Sequence, residues 1–232
     1  MQQLIRERYY RIFLASEFDG LADTLNAAGF TEENGAGFRL HSILGGKIIG
    51  SFVESKIRAE VFVDPYGKES TREIVSYPTI AFELSPLKLQ GWDYLLRIEN
   101  PPSSLKRFVN ELQKIFGVQF SIAPRKIEVE RICQKVSSSK KYFRFRITSI
   151  WAKEIPLGDL AAGVRMSVKI QSPGNAYSDY VNLLRPIAHQ IEGIKIESKR
   201  DDPSSGRKYV EFRRAGGLLY TSDMADFVEE LI

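Results

Sequence analysis

LLRIENPPSSLKRFVNELQKIFGVQFSI (95–122) and SVKIQSPGNAYSDYVNLLRPIAHQIEGIKI (167–196) read as one unit written twice: strand, proline turn, amphipathic helix, glycine, strand. At an offset of 72 they agree at Ile98/Ile170, Pro101/Pro173, Val109/Val181, Asn110/Asn182, Leu112/Leu184 and Ile115/Ile187. Leu105, Phe108, Val109, Leu112 and Ile115 recur at the spacing of one helical face, as do Tyr177, Tyr180, Val181, Leu184 and Ile187. Gly117 and Gly193 fall where a helix-ending glycine is expected, and Pro186 is expected to shorten or kink the second helix. An internal duplication is one expectation; convergence on a common strand-helix-strand pattern is the other.

Working outward, YYRIFLAS (9–16) reads as a strand and DGLADTLNAAG (19–29) as a short helix. From Gly37 to Ser85 the pattern turns strand-rich, with DPYG (64–67) as a type I turn between two alternating runs. KIEVERICQKV (126–136) places Val129, Ile132, Cys133 and Val136 on one helical face, which makes Cys133 a core residue rather than a reactive one. TSDMADFVEELI (221–232) reads as a helix capped by Thr221 or Ser222. The expected fold is α+β, in two halves, 1–124 and 125–232. Each is ferredoxin-like or related, with an antiparallel sheet and helices on one face.

The 232 residues are long enough to bury a sizeable core. No run of about 18 apolar residues occurs, so no membrane span is expected. The start, MQQLIRERYY, lacks the apolar core of a signal peptide, and a single cysteine excludes an internal disulfide. The cytoplasm is the expected compartment. Residues 1–124 carry 14 Lys/Arg against 15 Asp/Glu, and 125–232 carry 19 against 14. A basic second half implies an anionic partner.

That half also repeats a phrase. SSSKKYFRFR (137–146) and SSGRKYVEFR (204–213) each hold two serines, two cations, a tyrosine and a later Phe-Arg. Read as strands, they put Tyr142, Arg144 and Arg146 on one face and Phe143, Phe145 and Ile147 on the other. In the second copy Tyr209, Glu211 and Arg213 face away from Val210 and Phe212. Ser204, Ser205 and Gly206 are expected to turn a hairpin from IKIES (194–198) into RKYVEFR (207–213). Lys140, Lys141, Arg144, Arg146, Arg207, Lys208, Arg213 and Arg214 suit phosphates, and Tyr142 and Tyr209 suit base stacking. The phrase resembles the strand motif of RNA-recognition folds, without its central glycine and aromatic spacing. The plainer alternative is a polar sheet face whose basic turns protect an edge strand.

For chemistry the sequence offers little. There is no G-x-S-x-G, Walker A or dinucleotide fingerprint in a strand-to-helix setting, and one cysteine with two histidines makes no metal set. His41 follows a strand and shares a face with Arg39, an arrangement usable by a metal-independent RNA endonuclease of tandem ferredoxin-like architecture. His189 reads as a late-helix residue, on the surface or in packing. Glu-x-Lys occurs at 54–56 and 197–199, about as often as chance allows. The expectation is a non-catalytic protein, without metal or cofactor, that contacts single-stranded RNA or DNA or serves in a nucleic-acid-handling assembly, such as one of phage defence. The alternatives are the His41 endonuclease and an interaction subunit for an acidic protein.

Overall fold

A computed structural model of the chain describes residues 3–14, 18–87, 93–156, 165–184, 189–199 and 208–232. It is mixed α+β, with antiparallel sheets and five α-helices among the described residues. The chain divides into two compact units, Tyr9–Ala123 and Met1–Arg8 with Pro124–Ile232. Residues 1–8 therefore belong with the second unit and not with the half, 1–124, in which the sequence places them. The reason is strand pairing. β1 (Leu4–Phe13) begins five residues earlier than its apolar run implies, because Leu4–Arg8 pairs in register with Thr221–Gly217. Glu7 is buried on that stretch and accepts from the Tyr220 hydroxyl at 2.8 Å, so its charge does not lie bare in the interior.

In the unit Tyr9–Ala123, β1 is followed by α1 (Phe18–Ala27), β2 (Ala36–Leu44), β3 (Lys47–Glu54), β4 (Lys56–Val63), β5 (Glu69–Ser76), β6 (Thr79–Pro86), β7 (Asp93–Glu99), α2 (Lys106–Phe116) and β8 (Ser121–Pro124). The sheet runs β1-β7-β6-β3-β2, while β8 also pairs β1 and β4-β5 form a ribbon of their own. Alternation in β3, β6 and β7 turns every second side chain inward. Phe38, Phe52 and Phe82 meet Phe108 of α2 with ring centroids 5.5–5.9 Å apart. Phe108 and Leu112 are buried and Leu105, Val109 and Ile115 half-buried, the stripe the periodicity predicts. Gly117 ends α2 at φ 65°, where a Cβ would clash with its own backbone.

The other unit holds α3 (Val129–Ser138), β9 (Phe145–Pro156), β10 (Arg165–Gln171), α4 (Ala176–Leu184), β11 (Gln190–Ser198), β12 (Tyr209–Arg213), β13 (Gly217–Thr221) and α5 (Ala225–Leu231). Its sheet runs β10-β9-β11-β12-β13 and closes on Leu4–Arg8 of β1. Val129, Ile132, Cys133 and Val136 are buried as predicted, and burial pushes the Cys133 thiol up to about 12. Leu184 is buried and Val181 half-buried; Pro186 and Ile187 lie outside the described residues.

The structure departs from three local expectations. Gly193 does not end a helix: it lies inside β11, at a register shift against β9. A Cβ there would come within 2.8 Å of the Phe212 carbonyl oxygen and 3.3 Å of the Trp151 ring. His189 stands in the connection before β11, not in a helix, and its ring nitrogen meets the Tyr180 hydroxyl at 2.8 Å. Thr221 does not cap the last helix, because its hydroxyl accepts from the Tyr209 amide at 3.3 Å; a 3-10 turn, Ser222–Met224, leads into α5 instead.

Candidate nucleic-acid interface

Alternation fixes the two faces of the second sheet. Ile194 and Ile196 of β11, Val210 and Phe212 of β12, and Leu218 and Tyr220 of β13 are buried. Their neighbours in sequence, Lys195, Glu197, Tyr209, Glu211, Arg213 and Leu219, are half-buried or exposed and form the opposite face. Strand register then aligns this face into rows. Arg146, Glu197 and Tyr209 are direct partners across β9, β11 and β12. Lys169, Trp151, Gly193 and Arg213 are partners across β10, β9, β11 and β12. On β1, the exposed Arg6 and Arg8 register with Leu219 and Gly217.

The second row is the most distinctive feature. The Arg213 guanidinium lies 4.1 Å from the Trp151 ring centroid and the Lys169 ammonium 5.2 Å from it. Gly193 leaves the space that the indole and the Arg213 chain occupy. In the first row Lys195 caps the Tyr209 ring at 4.3 Å and pairs with Glu197 at 2.9 Å. Cations held against aromatic planes keep a positive surface beside flat apolar ones, the combination single-stranded nucleic acid uses.

The sequence-predicted residues divide. Arg146, Tyr209 and Arg213 share this face. Arg213 pairs with Glu211 at 3.3 Å, and Arg146 donates to the Pro173 carbonyl at 2.7 Å with Glu197 4.0 Å away. Lys141, Tyr142 and Lys208 turn instead to the C-terminal helical segment: Lys141 pairs with Glu230 at 2.7 Å and Lys208 with Asp223 at 3.2 Å. Arg214 pairs with Glu130 at 2.9 Å. Arg207 and the turn Ser204–Gly206 lie outside the described residues.

The first phrase is not the strand the sequence implies. Lys140–Tyr142 forms a 3-10 turn, started by the Ser139 hydroxyl accepting from the Lys141 amide at 3.3 Å, and β9 begins only at Phe145. The turn reverses the expected faces. Tyr142 is 3 % exposed, with its hydroxyl on the Glu230 carboxylate and its ring edge-on to Phe227, whereas Phe143 is 63 % exposed. Tyr142 thus offers no plane for a base. Burial first, then Glu230, pushes its phenol up to about 12; Lys141 and Tyr142 hold the Glu230 carboxyl below its ordinary value.

The turn also builds a groove. Ser137, Ser138, Lys140, Arg146, Asn175 and Lys199 line it, and the Arg146 Nε is buried without a hydrogen-bond partner. Lys140, Arg144 and Lys199 are exposed at or near its rim.

His41 occupies the register shift between Leu40 and Ser42 on β2, exposed, with its Nε2 3.1 Å from the Ser51 hydroxyl. Both Glu-x-Lys acids are held in ion pairs, Glu54 by Lys56 at 2.6 Å and Glu197 by Lys195. Among the described residues no cluster of three or more His, Cys, Asp or Glu is placed to hold a metal. No described helix is long and apolar enough to cross a membrane. Trp151 and Lys169 escaped the sequence reading, because they lie outside the repeated phrase and only register brings them to Arg213.

No protein-family model matches the chain, and no curated protein does. Among solved structures, the di-domain ARO/CYC StfQ from the steffimycin biosynthetic pathway aligns at 10% identity over 97% of this chain and 88% of its own, with a TM-score of 0.21. DynU16, from the dynemicin biosynthetic locus, aligns at 10% identity over 93% and 85%, with a TM-score of 0.18. Likeness at these scores carries nothing over to this chain.

Proposed function

We propose that the protein binds single-stranded nucleic acid through the open face of its second sheet and performs no chemistry on it. The observation that carries this reading is the row Lys169–Trp151–Gly193–Arg213, where two cations and an indole lie side by side over a glycine. Arg146, Tyr209, Arg6 and Arg8 extend the same surface, and Lys140, Arg144 and Lys199 continue it toward the serine-lined groove. Phosphates would be met by the cations and bases by Trp151 and Tyr209. The acids on this face, Glu197 and Glu211, hold the cations in place until phosphate displaces them. A ferredoxin-like plan for both halves, arising by duplication, belongs to the same proposal. Its support is that each strand-helix-strand unit, β7-α2-β8 and β10-α4-β11, pairs both of its strands with one intervening strand, β1 or β9.

The test is fluorescence anisotropy with an unstructured labelled oligonucleotide across a salt series. Lys169→Glu with Arg213→Glu is expected to weaken binding to every sequence and flatten the salt dependence, because phosphate contacts release counterions. Trp151→Ala is expected to lose about 1–3 kcal/mol with the salt slope unchanged. Equal affinity in the wild type and the double charge reversal would refute the proposal and favour an acidic protein partner. Cleavage of RNA by the wild type and not by His41→Ala would replace it with the endonuclease reading.

A further inference from the structure

The β4-β5 ribbon extends the β3-β6 hairpin beyond its sheet. Glu54 donates to the Pro78 carbonyl at 3.2 Å and Ser55 to Gly35 at 2.7 Å, and from there the two strands pair only with each other. Eight residue pairs, Lys56↔Ser76 to Val63↔Glu69, make an arm about 27 Å long. Its tip is a built turn: Asp64 Oδ1 accepts from the amides of Tyr66 and Lys68 at 2.9 and 2.8 Å. Every residue of β5 is exposed, and every residue of β4 except Glu60.

One face of β4 is apolar. Ile57, Ala59, Val61 and Val63 line it, opposite Val75, Glu73, Thr71 and Glu69 of β5, and Ile57, Val61 and Val63 are 61–67 % exposed. A bare two-stranded ribbon is marginal in water, and an uncovered apolar edge strand is a template for pairing. Nucleic acid does not fit, since Lys56, Arg58, Lys68 and Arg72 are matched by Glu60, Asp64, Glu69 and Glu73 and the arm has no net charge.

The order of residues on β4 selects the occupant. We propose that two copies of this chain associate by antiparallel pairing of β4 with β4, with Ala59 on the two-fold axis. In that register Arg58 faces the partner subunit's Glu60 and Ile57 faces the partner subunit's Val61, each contact made twice by symmetry. Among the described residues Arg58 pairs with its own Glu60, at 4.0 Å across an exposed surface, and Glu60 lies opposite Arg72 of β5. Directly opposed residues of antiparallel strands share a face, so the apolar faces of the two β4 strands join into one at the centre of a four-stranded sheet, with the Glu69 and Glu73 carboxylates on the flanking β5 strands. The β5 edge offers no equivalent. An axis at Arg72 or Glu73 sets like charges against themselves, and an axis at Thr71 opposes Glu69 to Glu73.

Sedimentation of the full chain over a concentration series tests this. The wild type is expected to dimerise, and Arg58→Glu and Glu60→Arg each to weaken the dimer at least about tenfold, since each sets two like-charge pairs across the axis. Mixing the two variants restores opposite charges at both positions and is expected to restore the dimer. The arm lies outside the buried core, so these variants keep the core; Glu60→Arg also faces Arg72 of its own β5, and the mixture of the two variants separates that effect from the pairing across the axis. As an independent measurement, Ala59→Cys is expected to cross-link under oxidation, because opposed Cα atoms in such a pair are about 4.5–5.5 Å apart and the buried Cys133 does not compete. A monomer at every concentration, a dimer indifferent to both charge variants, a mixture that stays monomeric, or an Ala59→Cys chain that fails to cross-link overturns the proposal.

Discussion

Gly193 and Tyr142 show how single residues set the candidate surface. Gly193 sits where Trp151 and Arg213 cross β11, with the Arg213 side chain 3.0 Å from where a Cβ would be. Gly193→Ala is expected to destabilise the protein by about 1–3 kcal/mol through overpacking, and to shift the emission of Trp151 as the ring is displaced. Chemical denaturation followed by tryptophan fluorescence reads both effects. Tyr142 gives a pH prediction. Its phenol titrates at about 12, raised from 10. Its contribution to stability is therefore complete below pH about 10 and is lost as pH rises through about 12. Glu230 has the opposite sign: its lowered value favours the fold above the ordinary carboxylate range, and that contribution goes as pH falls through the lowered value. In a tyrosinate absorbance titration, Tyr142→Phe is expected to remove one phenol that ionises above the ordinary tyrosine range. A curve unchanged by the substitution counts against the buried contact with Glu230.

Among the elements, helical faces were legible; helix ends and strand ends were not. The α2 stripe could be taken from spacing alone, since a 3.6-residue period specifies one face wherever the helix docks. Leu112→Ala is expected to cost about 2–5 kcal/mol, from lost burial and the cavity left in the core cluster. Leu184→Ala, at 8 % exposure near the end of α4, is expected to cost less. Thermal unfolding of the two variants checks the ranking. SSSKKYFRFR failed as a strand because its serines and lysines close a local turn, and a hydroxyl-to-amide bond two residues away competes directly with a ladder bond. The second phrase, on β12, kept its alternation because it is paired on both sides, by β11 and β13.

At the scale of the molecule, the division near Pro124 followed from composition and pattern, but the assignment of residues 1–8 did not. Leu4–Arg8 completes the second sheet, and Glu7 meets Tyr220 213 residues along the chain. Removing residues 1–8 is expected to raise amide exchange along β12 and β13 while β3 and β6 keep their protection, which hydrogen exchange with mass spectrometry resolves. Uniform loosening of both units would contradict the pairing. The sequence by itself determined the α+β class, the apolar faces of α2 and α3, the buried Cys133 and the basic second half, because periodicity and charge are local and survive any docking. Only the tertiary structure decided which cations share a surface. Trp151, Lys169 and Arg213 meet through the register of four strands, and register is set by packing partners far away in the chain. It also decided which charges are already answered, since Lys141, Lys208 and Arg214 find acids that no spacing rule connects to them.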